Sequence, residues 1–211
     1  MLMAVKSEGI LLVLSSPSGA GKTTISERLL AQSTSLVRSV SATTRKPRAQ
    51  EIEGEDYFFV TEKEFHELCK SGKMLEYAEV FGHFYGIPRD FIEQNLKGGI
   101  SVLLSIDWQG AFHLFEIMRD KVVSVFILPP SMQELKLRLN NRNSDSASTI
   151  EYRLTQAQKE ISKCHQYDYV IVNDNIDESV NFISSILEAE RLKIKRQVNL
   201  KEFLDNLIYV L

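Results

Sequence analysis

The sequence predicts an α/β fold with a parallel five-stranded core sheet and flanking helices. Three observations carry that expectation. Short continuous runs of Leu, Val and Ile recur along the chain, as strands buried on both faces require. Helical stretches lie between most of these runs, which fits right-handed crossover connections. The first run also flows straight into Gly19-Ala20-Gly21-Lys22-Thr23, a glycine-rich turn ending in a lysine and a hydroxyl.

Taken in order, the strand candidates are Ile10–Leu14, Leu36–Val40, Ile100–Ile106, Val122–Leu128 and Tyr169–Val172. The loop after the first is followed by an amphipathic helix carrying Ile25, Leu29 and Leu30. Residues 41–88 interrupt the alternation with charged, turn-rich sequence. Short aromatic runs (Tyr57–Val60, Met74–Val80, His83–Gly86) then surround one helix, which predicts a small β-rich insertion. Thr61 with Glu64, and Ser131 with Glu134, fit the capping box that opens a helix. Pro88 suits the first turn of a helix ending before Gly98-Gly99.

Ile150, Leu154, Ala157 and Ile161 fall at helical spacing and predict one apolar face. The preceding stretch, Asn140 to Thr149, is polar and reads as a mobile, solvated segment inside a helical hairpin. After Arg191 basic and apolar residues alternate, which predicts a helical end that frays. The expected organisation is a single domain over 1–211. Its core spans 8–40, 89–135 and 157–197, and its tail 198–211.

Composition narrows the function. With 44% hydrophobic and 25% charged residues, the 211-residue chain is ordinary globular protein. A net charge of −3 argues against a dedicated nucleic-acid binder. The apolar run at Ile10 is too short for a membrane span or a signal-peptide core, so no membrane partner is expected. Cys69 and Cys164 lie too far apart to read as a disulfide framework, which favours a reducing, cytoplasmic setting. The four histidines show no ligand spacing that would make a metal site of their own.

The loop states the first chemistry. Its glycines let backbone N–H groups converge on phosphate oxygens at the positive end of a helix. Lys22 reaches the β- and γ-phosphates and Thr23 can hold Mg²⁺. The usual pattern places a glycine where this chain has Ser16, before Pro17. Further on, Arg45 and Arg48 flank Pro47, so two forked guanidinium groups could close on one phosphate. Asp107 ends an apolar strand, where α/β sheets bind ligands, and could at the same time cap the helix at Trp108. Arg138 and Arg142 project together at i,i+4, a juxtaposition that repels unless phosphates join them.

In register, SPSGAGKTT, SATTRKPRAQEIEGEDY, LEYAEVFGHFYG, IDWQGA, PPSMQELKLRL and VIVND resemble the landmarks of the guanylate kinase family. The resemblance runs from Ile10 to about Gln197. It implies a P-loop nucleoside monophosphate kinase fold, with a GMP-binding region at 41–88 and a lid at 136–156. It implies ATP and GMP as substrates, with Mg²⁺ as cofactor. Ser18, Gly19, Ala20, Gly21, Lys22, Thr23 and Thr24 would hold the ATP phosphates, and Asn173 would contact the adenine. Arg45 and Arg48, helped by Tyr57 and Tyr85, would hold the GMP phosphate. Ser41 and Glu76 would hold the guanine, with Glu51 lining that pocket. Asp107 would lie near the acceptor and organise Mg²⁺ through water. Lys22, Arg45, Arg138, Arg142 and Arg153 would carry catalysis.

A carboxylate at Glu76 suits guanine, whose N1–H and exocyclic amine are adjacent donors. Adenine offers a lone pair at N1 instead, and a buried carboxylate left unpaired is costly. Two positions depart from the family. Ile87 stands where Ser or Thr is usual, and Ser105 where an acidic residue is common. Two other readings compete: a non-catalytic interaction module, and a kinase for another phosphorylated acceptor such as a ribose bisphosphate. The intact loop opposes the first, and Ser41 with Glu76 opposes the second. Oligomeric state is not legible in the residues.

Overall fold

The computed structural model describes residues 5–48, 51–80, 82–141 and 147–209. The strands are β1 (Leu11–Ser15), β2 (Leu36–Arg38), β3 (Ser41–Thr43), β4 (Tyr57–Phe59), β5 (Met74–Val80), β6 (His83–Pro88), β7 (Ser101–Ser105), β8 (Val122–Leu128) and β9 (Tyr169–Val172). The helices are α1 (Lys22–Gln32), α2 (Glu62–Lys70), α3 (Arg89–Lys97), α4 (Trp108–Met118), α5 (Met132–Asn140), α6 (Ala147–Ile161), α7 (Ile176–Arg191) and α8 (Leu200–Tyr209).

The core sheet has the order β2-β7-β1-β8-β9, with every pairing parallel. Each of the five apolar runs in the sequence supplies one strand. In β1 every residue is buried, because helices cover both faces and alternate side chains enter different cores. Leu12 and Leu14 pack with Ile25 and Leu29 of α1 and Val180 and Ile183 of α7. Leu11 and Val13 face the other way, onto Ile92, Leu96 and Leu114. A continuous apolar run is therefore what this position demands.

The insertion is a second sheet of order β4-β3-β6-β5, with β3 and β4 parallel and the other pairs antiparallel. Its small core is built on Ala42, Phe65 and Met74. Helix α2 opens with the full capping box: Thr61 accepts from the Glu64 amide, and Glu64 returns to the Thr61 amide. At α5 only half of the motif forms. Ser131 accepts from Glu134 N at 3.0 Å, but the Glu134 carboxylate turns to Arg138 Nε at 2.9 Å. A guanidinium one turn on outcompetes a neutral amide. Pro88 ends β6 and is the N-cap of α3, one residue earlier than the first-turn place expected for it.

Helices α5 and α6 form a hairpin in which Leu135 and Leu139 pack on Ile150 and Ala157. Asn140 closes α5, and Ala147 to Thr149 are already helical in α6. Residues 142–146, including Arg142, lie outside the described residues. The chain end also differs from a fraying helix. Val198 N donates to Lys6 O at 2.8 Å and Glu8 N to Arg196 O at 2.9 Å. Arg196 is itself buried, 3.7 Å from the Glu190 carboxylate. The segment after Arg191 is thus stitched to the strand-like start of the chain before α8 begins.

Candidate active site

The phosphate loop leaves β1 and enters α1 with both glycines in left-handed backbone, Gly19 at φ +93° and Gly21 at φ +100°. Space demands glycine there too. A Cβ on Gly19 would press on Leu135 and Leu139 at 3.1 Å, and one on Gly21 would run into the Asn173 side-chain amide. Gly21 is the N-cap of α1 and no side chain caps that helix, so its first-turn amides stay available at the positive end of the dipole. Ser16 takes the place of the usual first glycine, and its hydroxyl bonds Pro17 O at 3.0 Å.

Asn173 lies beneath the loop, 1% exposed. Its Nδ2 donates to Ala20 O at 2.7 Å, and its Oδ1 accepts from Ser179 at 3.1 Å. Its carbonyl takes both terminal nitrogens of Arg138 at 3.2 Å. Every polar group of its side chain is thus bonded within the protein. In this structure Asn173 is a brace for the loop, at the position expected to lie beside the adenine.

Lys22 Nζ donates to Ile106 O at 3.0 Å. Burial pushes its ammonium below the usual lysine value, while the charges of Asp107 and Glu160 oppose that shift. Arg153, on α6, reaches over the loop to Ser18 Oγ at 3.2 Å. Among the described residues the lid hairpin reaches the loop through Arg153, and Arg138 braces it through Asn173.

Across the cleft, a cavity of about 230 Å³ is lined by Ser41, Glu76, Tyr85, Ile87, Asp107 and Gly110, among others. A register shift between Met74 and Glu76 builds one wall. Leu75 is the extra residue and packs in the main core, while Met74 packs in the insertion core. Glu76 is then aimed into the cleft, as bulges beside functional sites do. Burial raises the Glu76 carboxyl above its ordinary value, Asp107 adds to the rise, and His113 opposes it. Asp107 is the N-cap of α4, its Oδ1 accepting from Gly110 N at 3.0 Å.

A second, polar cavity of about 240 Å³ lies between loop and insertion, lined by Thr23, Ser41, Tyr57, Ser105 and Ile106 among others. Thr23, Thr24 and Arg48 are exposed. Arg45 bonds Glu51 Oε1 at 2.7 Å and lies 5.4 Å over the Tyr57 ring. Glu51 Oε2 accepts from Arg48 N at 2.8 Å. These bonds, Arg45 first, hold the Glu51 carboxyl below its usual value. Glu51 is therefore a clamp on the arginine segment, where a place in the guanine cavity wall was expected. Its negative charge is drawn to the nearest guanidinium.

Two groups escape a reading of the residues alone. Glu160 on α6 is half-buried, and its carboxyl is raised first by burial, with Lys22 opposing. Tyr167 is buried under the loop, which pushes its hydroxyl up to about 12. The signal for Glu160 was its spacing: Arg153 and Glu160 stand seven apart, two turns on one helical face.

Comparison with known proteins fits this geometry. The family model described as guanylate kinase matches residues 8–190. The chain belongs to the guanylate kinase family. A guanylate kinase of Wolbachia pipientis wMel is 75% identical over 201 residues, covering 95% of this chain and all of that protein. One from Paramagnetospirillum magneticum is 47% identical over 206 residues, 98% of this chain and 96% of that one. The crystal structure of guanylate kinase from Anaplasma phagocytophilum superposes with a TM-score of 0.75 at 50% identity, covering 96% of each chain.

Proposed function

We propose that this chain transfers the γ-phosphoryl group of ATP to GMP, giving ADP and GDP, with dGMP as a further acceptor. One observation carries the reading. A half-buried carboxylate, Glu76, lines one cavity with Asp107, and the phosphate-loop lysine, Lys22, bonds the carbonyl of the adjacent Ile106. Donor phosphates and a guanine base held at these two points leave their reacting groups between them.

The acceptor is an already ionised phosphate, so no general base is required. Catalysis is positioning plus charge stabilisation in a site from which water is excluded. Lys22 neutralises charge on the transferring group while Arg153 closes the lid side. Arg45 and Arg48 aim the acceptor, with Tyr57 and Tyr85 beside them and Glu51 fixing the arginine geometry. Ser41 and Glu76 hold the base. Asn173 and Arg138 brace the loop from below.

A magnesium ion fits the donor set. Among the described residues no group of three acidic, histidine or cysteine side chains could hold a metal. Thr23 and Asp107 offer one hydroxyl and one carboxylate, as suits a hard cation that arrives with phosphate oxygens and keeps its waters. Held there, Mg²⁺ would supply neutralising charge to the phosphates.

A cytoplasmic setting accords with the free thiols of Cys69 and Cys164. No described helix is long and apolar enough to cross a membrane. The test is ADP release with GMP, dGMP, AMP, UMP and a sugar phosphate in turn. GMP should lead, with dGMP behind it. Faster turnover of AMP or the sugar phosphate would sink the reading.

A further inference from the structure

Helix α4 carries a glycine that its own geometry does not ask for. Gly110 stands third in the helix, and its backbone is not in the left-handed region. Glycine inside a helix is disfavoured against alanine. The reason for it is spatial. A Cβ built on Gly110 would lie 2.6 Å from Glu76 Oε1, 2.8 Å from Oε2 and 3.1 Å from Cδ. Those three nearest atoms all belong to the carboxylate group, which therefore lies broadside against bare helix backbone. The Gly110 amide is already committed to Asp107 Oδ1, so the helix gives Glu76 a surface to rest on.

We infer that Gly110 sets the base specificity of the cleft, as a positioning residue. Its missing side chain fixes the depth and tilt at which the Glu76 carboxylate meets the guanine edge. The inference rests on the reading of Glu76 as the guanine carboxylate. Two parallel hydrogen bonds, to N1–H and to the exocyclic amine, need both oxygens in the plane of the base. Ordinary contact begins at 3.4 Å, so one added methyl would push the nearer oxygen by 0.8 Å (3.4 − 2.6). A displacement of that size spoils a bidentate pair, whose strength falls steeply with angle.

Calorimetric titration of GMP, inosine monophosphate and ADP into four proteins tests this: wild type, Gly110→Ala, Glu76→Asp and the double variant. Inosine monophosphate keeps N1–H but lacks the exocyclic amine. Gly110→Ala should weaken GMP by about tenfold and shrink the preference for GMP over inosine monophosphate. ADP affinity should stay within about twofold, and the thermal midpoint should hold or rise, because alanine is the better helix former. In the Glu76→Asp background the carboxylate sits one methylene further back. There the same alanine should cost less than about twofold, a non-additivity expected only of groups in contact.

Unchanged GMP and inosine monophosphate affinities in Gly110→Ala would overturn the inference. So would an equal loss in both backgrounds, or a folding defect that Glu76→Asp does not relieve. Glu76→Gln separates the two layers. If that variant binds GMP normally, the guanine reading itself fails, whatever Gly110→Ala does.

Discussion

The two halves of the cleft are held in different ways. On the donor side the phosphate loop is a finished object. Its turns are fixed by two glycines, its underside by Asn173 and its lysine by the Ile106 carbonyl. Those braces are hydrogen bonds made within the protein itself. On the acceptor side the same task falls to charges. Arg45 and Glu51 are paired, while Glu76 is half-buried near Asp107, a carboxylate of like charge. A loop that binds phosphate through backbone can be built in advance. A pocket that reads a base through a carboxylate keeps an electrostatic strain that the right ligand relieves.

The sharpest way to separate the halves is Lys22→Met. It removes the charge and leaves the loop braced, so kcat should fall by at least about 10²-fold while the thermal midpoint holds. Activity near wild type would end the loop assignment. Next in size is Glu76→Gln, which should weaken GMP by about 10- to 100-fold and leave ATP unaffected. An equal loss for both substrates would mean the halves are not independent.

Asn173→Ala inverts the comparison. Removing the brace leaves Ala20 O without its buried donor, at a cost of about 1–3 kcal/mol in stability. Denaturant unfolding should show this, with ATP weakened and GMP affinity unchanged. If GMP suffers as much as ATP, the brace serves both halves.

The smallest effect is on pH. Because burial and Asp107 raise the Glu76 pKa above 4.5, folding penalises its charged form. That penalty is present above the raised value and disappears as pH falls through it. The free protein should therefore gain a little stability on acidification relative to Glu76→Gln. Over the same range GMP binding should fall, because the protonated carboxyl no longer accepts two hydrogen bonds. An acid limb in GMP titrations that persists in Glu76→Gln would assign it elsewhere.

The sequence carried the sheet and the loop because both are local. LLVLS must be a doubly buried strand, and Gly19 to Thr23 has few uses besides phosphate. The identity of the acceptor was legible only through the order of several motifs. Roles set by tertiary neighbours were not legible. That the Asn173 amide also braces Ala20 O could not be read from its place at the end of a strand. Glu51 looks like a pocket wall until both its oxygens are seen on the arginine segment. Ser131 and Glu134 match a reciprocal cap, but nothing in that spacing tells whether Arg138 will take the carboxylate. Gly110 sits inside a motif string, yet its reason is a side chain 34 positions earlier in the chain (110 − 76).

The central place of β1 also matters while the protein is being made. Leu11 pairs with Val102 and Val122, so its neighbours leave the ribosome 91 and 111 residues after it. At about 5–20 residues per second the strand waits roughly 5–20 s unpaired, four of its five residues apolar. Segments of that kind add readily to other chains. The strand that anchors the phosphate loop is thus, for those seconds, a segment of the nascent chain open to mispairing.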